Sequence, residues 1–212
     1  TAFYELVEKQ VRARFYDVDA EGVPRRWVEM VRHTLQSLGR MSEAVAGYHR
    51  ALELVPDYHE AHSNLGNALQ GLGRLPETEA AFRRALDIEP GYQEAHYNLG
   101  NALQALGRLA EAEASFRRAT ELDPRHHEAH NNLANVLKSL GRWTEAEASY
   151  RRALELAPAF HVAYNNLGNV LKLLGRLAEA QASYRRAIAI EPDFNIAHNN
   201  LGNALKDLGL LA

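Results

Sequence analysis

Apolar and small residues fall along this chain in two helical registers separated by a turn. Between residues 59 and 92, Ala61, Leu65, Ala68, Leu69 and Leu72 follow helical spacing and predict a first helix, helix A, which Gly73 ends in a left-handed residue. Arg74 and Leu75 turn the chain. Pro76 suits the first position of a second helix, helix B, along which Ala80, Ala81, Phe82, Ala85, Leu86 and Ile88 continue an apolar pattern before Pro90 stops it. Gly66 on helix A, with Ala81 and Ala85 on helix B, lets the two backbones approach closely, and Phe82 fills the space beside them.

The hairpin recurs. Pro56, Pro90, Pro124, Pro158 and Pro192 are 34 residues apart, as are Leu65, Leu99, Leu133, Leu167 and Leu201. Self-similarity at that period marks a stack in which each hairpin buries its apolar face against the next copy. The expected fold class is therefore all-α, a right-handed α-solenoid of helix-turn-helix hairpins. Its full units are 59–92, 93–126, 127–160 and 161–194, followed by a half repeat, 195–212. Residues 39–58 supply the helix B of an earlier, hybrid repeat, with Ala44, Tyr48, Ala51, Leu54 and Pro56 in register. A length of 212 residues does not then imply two domains, because a continuous core between neighbours replaces a central one.

Leu65-Gly66, Leu69, Phe82, Ala85 and Pro90 resemble the tetratricopeptide repeat, whose pattern runs W-x2-L-G-x2-Y, then A-x3-F, then P. The match returns at Leu99-Gly100, Ala112, Phe116, Ala119 and Pro124, at Leu133-Ala134, Ala146, Tyr150, Ala153 and Pro158, and at Leu167-Gly168, Ala180, Tyr184, Ala187 and Pro192. His62, His96, His130 and His198 stand where the family often has Trp, and Thr78 replaces one signature Ala.

The start of the chain has a different character. Phe15 to Met30, including Asp17-Val18-Asp19-Ala20-Glu21-Gly22 and Pro24-Arg25-Arg26-Trp27, resembles a segment near the C-terminal end of bacterial α-glucan (glycogen) phosphorylases, and the likeness ends at about Gly39. The resemblance implies two helices joined by a loop, remote from that family's cofactor lysine. Leu38-Gly39-Arg40 has the register of Leu72-Gly73-Arg74, so residues 25–38 take the place of a helix A and residues 1–38 serve as an N-terminal helical cap. Such a chain is a fusion of two families, by engineering or by recombination. A first residue other than Met and an end shortly after a helix are expected of a trimmed chain.

Helix A presents a polar stripe opposite its buried leucines. In successive repeats it reads Glu60, Ser63, Asn64, Asn67 and Gln70; Glu94, Tyr97, Asn98, Asn101 and Gln104; and Glu128, Asn131, Asn132, Asn135 and Lys138. It continues with Val162, Asn165, Asn166, Asn169 and Lys172, then with Ile196, Asn199, Asn200, Asn203 and Lys206. Asparagine is disfavoured inside helices because its amide competes for backbone hydrogen bonds, so two recurring columns need a reason. Stacking turns the stripes into a concave groove, and an amide, both donor and acceptor, can pair with the backbone of an extended polypeptide. The other reading makes the column of Asn64, Asn98, Asn132, Asn166 and Asn200 a structural clasp between helices. A similar inner surface in the superhelix of protein O-GlcNAc transferases, whose asparagines contact substrate polypeptide, implies the groove reading for that column and for Asn67, Asn101, Asn135, Asn169 and Asn203. Glu60, Glu94 and Glu128 make the early groove acidic, and Lys138, Lys172 and Lys206 make the later part basic, so a ligand is expected to place an acidic group near Lys172 and Lys206. Chaperone-tail binders clamp a terminal carboxylate with lysines and an arginine. Here Ser63, Tyr97 and Asn131 hold the first lysine's place, and Asn132 and Asn166 the arginine's.

Charge and composition narrow the field further. A net charge of -3 gives no long-range field to hold a polyanion. Paired arginines on helix B, such as Arg83-Arg84, Arg117-Arg118, Arg151-Arg152 and Arg185-Arg186, are matched by Glu79, Glu113 and Glu147 four residues before an arginine, the spacing of helical ion pairs. Nucleic acid is not the expected partner. The i,i+3 pairs His59/His62 and His127/His130 lack further ligands in sequence, and the Asp17 segment has Val28 where a calcium loop needs Glu. There is no phosphate loop or nucleophile elbow, and no cofactor is expected. Without cysteine, an apolar span or a signal peptide, the chain reads as cytoplasmic. The expected function is a non-enzymatic scaffold that binds extended protein or peptide. The alternative is a fusion or assembly scaffold without a natural ligand, self-associating through the half repeat, where Leu201, Leu205, Leu208, Leu210 and Leu211 lack a covering helix B.

Overall fold

The computed structural model describes residues 40–207, and among them the structure is all-α. Its helices are α1 (Met41–Leu54), α2 (His59–Gly71), α3 (Leu75–Ile88), α4 (Gln93–Ala105), α5 (Leu109–Leu122), α6 (His127–Ser139), α7 (Trp143–Leu156), α8 (His161–Leu173), α9 (Leu177–Ile190) and α10 (Asn195–Asp207). The expected cap at residues 1–38, the Asp17 segment within it, and Leu208, Leu210 and Leu211 lie outside the described residues. The chain forms two compact units, Thr1–Ala95 and His96–Ala212, divided in the first turn of α4.

Every helix A from α2 to α8 is stopped by the same device. Gly73, Gly107, Gly141 and Gly175 have φ between 71° and 76°, a region that an L side chain enters only under strain. In the first of these turns the Gly73 N–H donates to Gln70 O at 2.9 Å and the Arg74 N–H to Leu69 O at 3.0 Å, which satisfies carbonyls that the helix end leaves open. Each helix B then starts behind an arginine whose guanidinium forks onto a first-turn glutamate, as in Arg108 Nε and Nη2 to Glu111 at 2.7 and 2.6 Å. Pro76 falls one position later than expected, since Leu75 already opens α3.

In the first unit, Ala44, Val45, Tyr48, Ala51, Ala61, Leu65, Ala68, Leu69 and Ala81 form one buried cluster. Leu72, which follows the last residue of α2, and Ala80 on α3, both expected on apolar faces, are exposed. Thr78 is fully buried, and its hydroxyl is satisfied by donating to Arg74 O at 3.1 Å. In the second unit the Phe116, Tyr150 and Tyr184 rings are fully buried, each stabilising its hairpin by roughly 1.5–3 kcal/mol through apolar burial. The close approach expected at the small residues is real. A Cβ built on Gly66, Gly100 or Gly168 would stand 2.6, 2.7 or 2.5 Å from the ring of Phe82, Phe116 or Tyr184. The repeat of α6 and α7 carries Ala134 at this position and buries it completely beside a buried Tyr150.

Candidate functional site

The helix A stripe of the second unit is a hydrogen-bonded chain of amides. Asn132 donates through Nδ2 to Tyr97 Oη at 3.2 Å and to Asn101 Oδ1 at 2.9 Å, both in the preceding repeat. Asn166 reaches Asn131 Oδ1 at 3.4 Å and Asn135 Oδ1 at 3.3 Å, and Asn200 reaches Asn165 Oδ1 at 2.8 Å. Within this unit the column of Asn132, Asn166 and Asn200 therefore clasps neighbouring repeats. Asn131 and Asn165 are buried beneath it, and Asn131 donates to Asn132 Oδ1 at 3.1 Å.

The second column is oriented by two ring residues that the repeat pattern marked only as packing positions. Tyr150 on α7 donates to Asn135 Oδ1 at 2.5 Å, and Tyr184 on α9 donates to Asn169 Oδ1 at 2.9 Å. Burial raises both phenols, Tyr184 to about 12, so they remain protonated donors near neutrality. With each Oδ1 occupied, the Nδ2 donors of half-buried Asn135 and Asn169 are left for other partners. The available signal was the hydroxyl itself: the ring position reads Phe at 82 and 116 but Tyr at 150 and 184. Asn64, Asn67 and Asn98 are half-buried without a side-chain hydrogen bond among the described residues, while Asn203 is exposed.

The expected basic end is not uniform. Lys172 Nζ lies 2.6 Å from Asp207 Oδ2, so its charge is matched within the chain, and Lys206 is exposed on α10. Lys138 is half-buried, and burial alone holds its ammonium below the usual lysine range. The glutamates differ as well. Glu60 lies 3.3 Å from His59 Nδ1, Glu94 accepts from the Tyr92 hydroxyl at 3.1 Å, and Glu128 lies 3.1 Å from His127 Nδ1.

Histidines and arginines serve the stack. His62, His130 and His198 place Nε2 at 2.9, 3.1 and 2.9 Å from the carbonyls of Pro56, Pro124 and Pro192, tying each helix A to the loop before it. His127 and His161 pack edge-on against Phe160 and Phe194. The expected i,i+4 pairs form, with Glu79–Arg83 at 2.9 Å, Glu113–Arg117 at 2.8 Å and Glu147–Arg151 at 2.9 Å. Arg142 and Arg176 extend them across repeats to Glu113 and Glu147, each at 2.6 Å. In α10, Leu201 and Leu205 are half-buried and Ile196 is 58% exposed, whereas Leu65, Leu99, Leu133 and Leu167 are buried. Among the described residues no helix is long and apolar enough to cross a membrane.

These features define an all-α solenoid of helical hairpins with a polar A-helix face. Tetratricopeptide repeat family models match residues 57–125 and 97–159, further repeat models match 33–73, 149–182 and 169–209, and the chain belongs to the tetratricopeptide repeat family. Among similar solved structures is YrrB, described as a tetratricopeptide repeat protein with an unusual peptide-binding site, at 25% identity and TM-score 0.71, covering 82% of this chain and 89% of that one. PilW, a type IV pilus biogenesis factor, shares the fold at TM-score 0.80 and 24% identity, covering 89% of this chain and 87% of its own. A thermophilic tetratricopeptide repeat protein of Thermus thermophilus is 25% identical at TM-score 0.65, with coverage of 86% and 99%. Over 38 residues, 18% of its length, the chain is 60% identical to glycogen phosphorylases of Mycobacterium tuberculosis and Mycobacterium bovis, and it spans 4% of the length of those relatives.

Proposed function

We propose that this chain is a protein-interaction scaffold that holds extended polypeptide along its A-helix face, without chemistry of its own. The observation that carries the reading is the pinned pair Asn135 and Asn169: tyrosine hydroxyls occupy both carbonyl oxygens, which aims two amide donors away from the hairpin core. Donors fixed in advance suit the carbonyls of an extended backbone and lose little entropy on binding. Peptide binding by YrrB, and the resemblance of the repeats to the O-GlcNAc transferase superhelix, support the same reading. The column of Asn132 and Asn166 takes a supporting part, since its amides fix the neighbours that do the binding. The short phosphorylase match is consistent with a chain that joins two families, the repeats carrying the binding face.

Each neutral hydrogen bond nets about 1 kcal/mol and ordering a flexible peptide costs several, so micromolar affinity is expected. The test is calorimetry with peptides of about ten residues, roughly 33 Å when extended, enriched from a random displayed library. Replacing both Asn135 and Asn169 by Ala should weaken binding by about 30-fold, the loss of two such bonds. Equal heats for the wild type and the double variant remove the ladder from the mechanism.

A further inference from the structure

Among the described residues two lysines of this face have no ion-pair partner, and of these Lys206 is exposed whereas Lys138 is half-buried. Lys138 lies one turn after Asn135 on α6, three residues along the same stripe. Among the described residues its ammonium has no ion-pair partner, and no neighbouring charge contributes to its shifted titration. It sits in the last turn of α6, where the helix dipole favours a cation.

The next repeat shows what such a lysine takes. Lys172 holds the same register position 34 residues on and is paired with Asp207 at 2.6 Å. Stepping that pair back by one repeat places Leu173 where the carboxylate would be, and Leu173 is 48% exposed. The acceptor is thus built into one repeat and missing from the one before it. A partly desolvated ammonium beside oriented amide donors is a receptor for a carboxylate, whose charge stabilises the protonated amine.

We propose that Lys138 anchors an acidic side chain of the bound polypeptide, so that the second unit selects extended ligands with Asp or Glu at one fixed position relative to the Asn135 and Asn169 donors. The inference rests on the peptide-binding reading above, and it moves the acidic group from Lys172, whose charge Asp207 matches, to Lys138 in the preceding repeat.

Three proteins test it: the wild type, Lys138→Gln and Leu173→Asp. Gln104 already occupies the first site's register position one repeat earlier, and Asp207 occupies the second site's one repeat later, so both residues suit the stack. Thermal melts by circular dichroism verify folding. The probe is a displayed random peptide library, followed by titration of each selected peptide and of its amide analogue, with Gln for Glu or Asn for Asp. The wild type should enrich an acidic residue at one position and prefer the acidic peptide to its analogue by about tenfold. Lys138→Gln should lose that preference by removing the cation, and Leu173→Asp by supplying an internal counter-charge, while both still bind the analogue. An acidic preference that survives in both variants, or that never arises although peptides bind, overturns the role of Lys138. A wild-type selection that yields no binder overturns the peptide-binding face itself, and Lys138 with it.

Discussion

The repeats at 93–126 and 127–160 share register and hairpin geometry, yet their groove amides differ by one oxygen atom. Asn101 belongs to a repeat whose buried ring is Phe116, and its Oδ1 accepts one bond, from Asn132. Asn135 meets Tyr150, and its Oδ1 accepts both the phenol and Asn166. The apolar ring therefore does two jobs that can be separated: its carbons fill the hairpin, and its hydroxyl, where present, orients a polar group on the surface. The same pair of repeats differs beneath the ring as well, with Gly100 against Phe116 and Ala134 beside Tyr150.

The glycine difference offers the largest effect. Adding a methyl at Gly168 places it 2.5 Å from a Tyr184 ring atom, so Gly168→Ala should destabilise by about 1–3 kcal/mol through overpacking. Ala134→Gly, the reverse change in the neighbouring repeat, should cost about 1 kcal/mol through helix propensity. Urea denaturation of both variants checks the pair. A neutral Gly168→Ala would mean that α8 and α9 accommodate the methyl as α6 and α7 accommodate Ala134, and the contrast would dissolve.

The hydroxyl comes next in size. Tyr150→Phe should cost about 1 kcal/mol, the net worth of one hydrogen bond, and release the Asn135 side chain from its single orientation. The mirror change, Phe116→Tyr, offers Asn101 the bond it lacks. Nuclear magnetic resonance of the Asn135 and Asn101 side-chain amides reads both, and unchanged Asn135 signals in Tyr150→Phe would show that Asn166 alone fixes the amide.

The difference between buried period and surface detail also sets what the sequence could reveal. Leu65, Gly73 and Phe82 recur because packing and a left-handed turn admit few alternatives, so helices and stops could be read from spacing. The asparagine columns were visible for the same reason, since a polar residue recurring in a helix is itself a pattern. What each amide binds was not visible. That Asn166 reaches back 31 residues to Asn135, or that Asp207 matches Lys172, depends on how neighbouring hairpins lie together, which a period specifies only as adjacency. The inter-repeat contacts of Arg142 and Arg176 escaped for the same reason, although the i,i+4 pairs they extend were predictable from spacing.

The smallest expected effect concerns the histidines at the family's Trp position, which three full repeats and the half repeat have and repeat 161–194 lacks. Burial lowers His62 and His130 from their usual 6.5, a hydrogen bond to the Pro56 or Pro124 carbonyl offsets part of this, and Arg84 or Arg152 lowers them further. Because the unfolded chain then takes up these protons more readily than the folded one, their contribution is complete above pH 6.5 and is lost as pH falls below it through the folded values. The exposed carboxylates held down by arginine hydrogen bonds, Glu77, Glu145 and Glu179, act in a separate window below 4.5. Repeat 161–194 carries Tyr164 instead and so has no imidazole at this position. Unfolding free energy measured against pH should thus decline gently below 6.5, and His130→Tyr, which copies repeat 161–194, should flatten that decline without moving the lower window. A slope indifferent to His130→Tyr would assign the decline elsewhere and leave the two kinds of repeat alike in their response to acid.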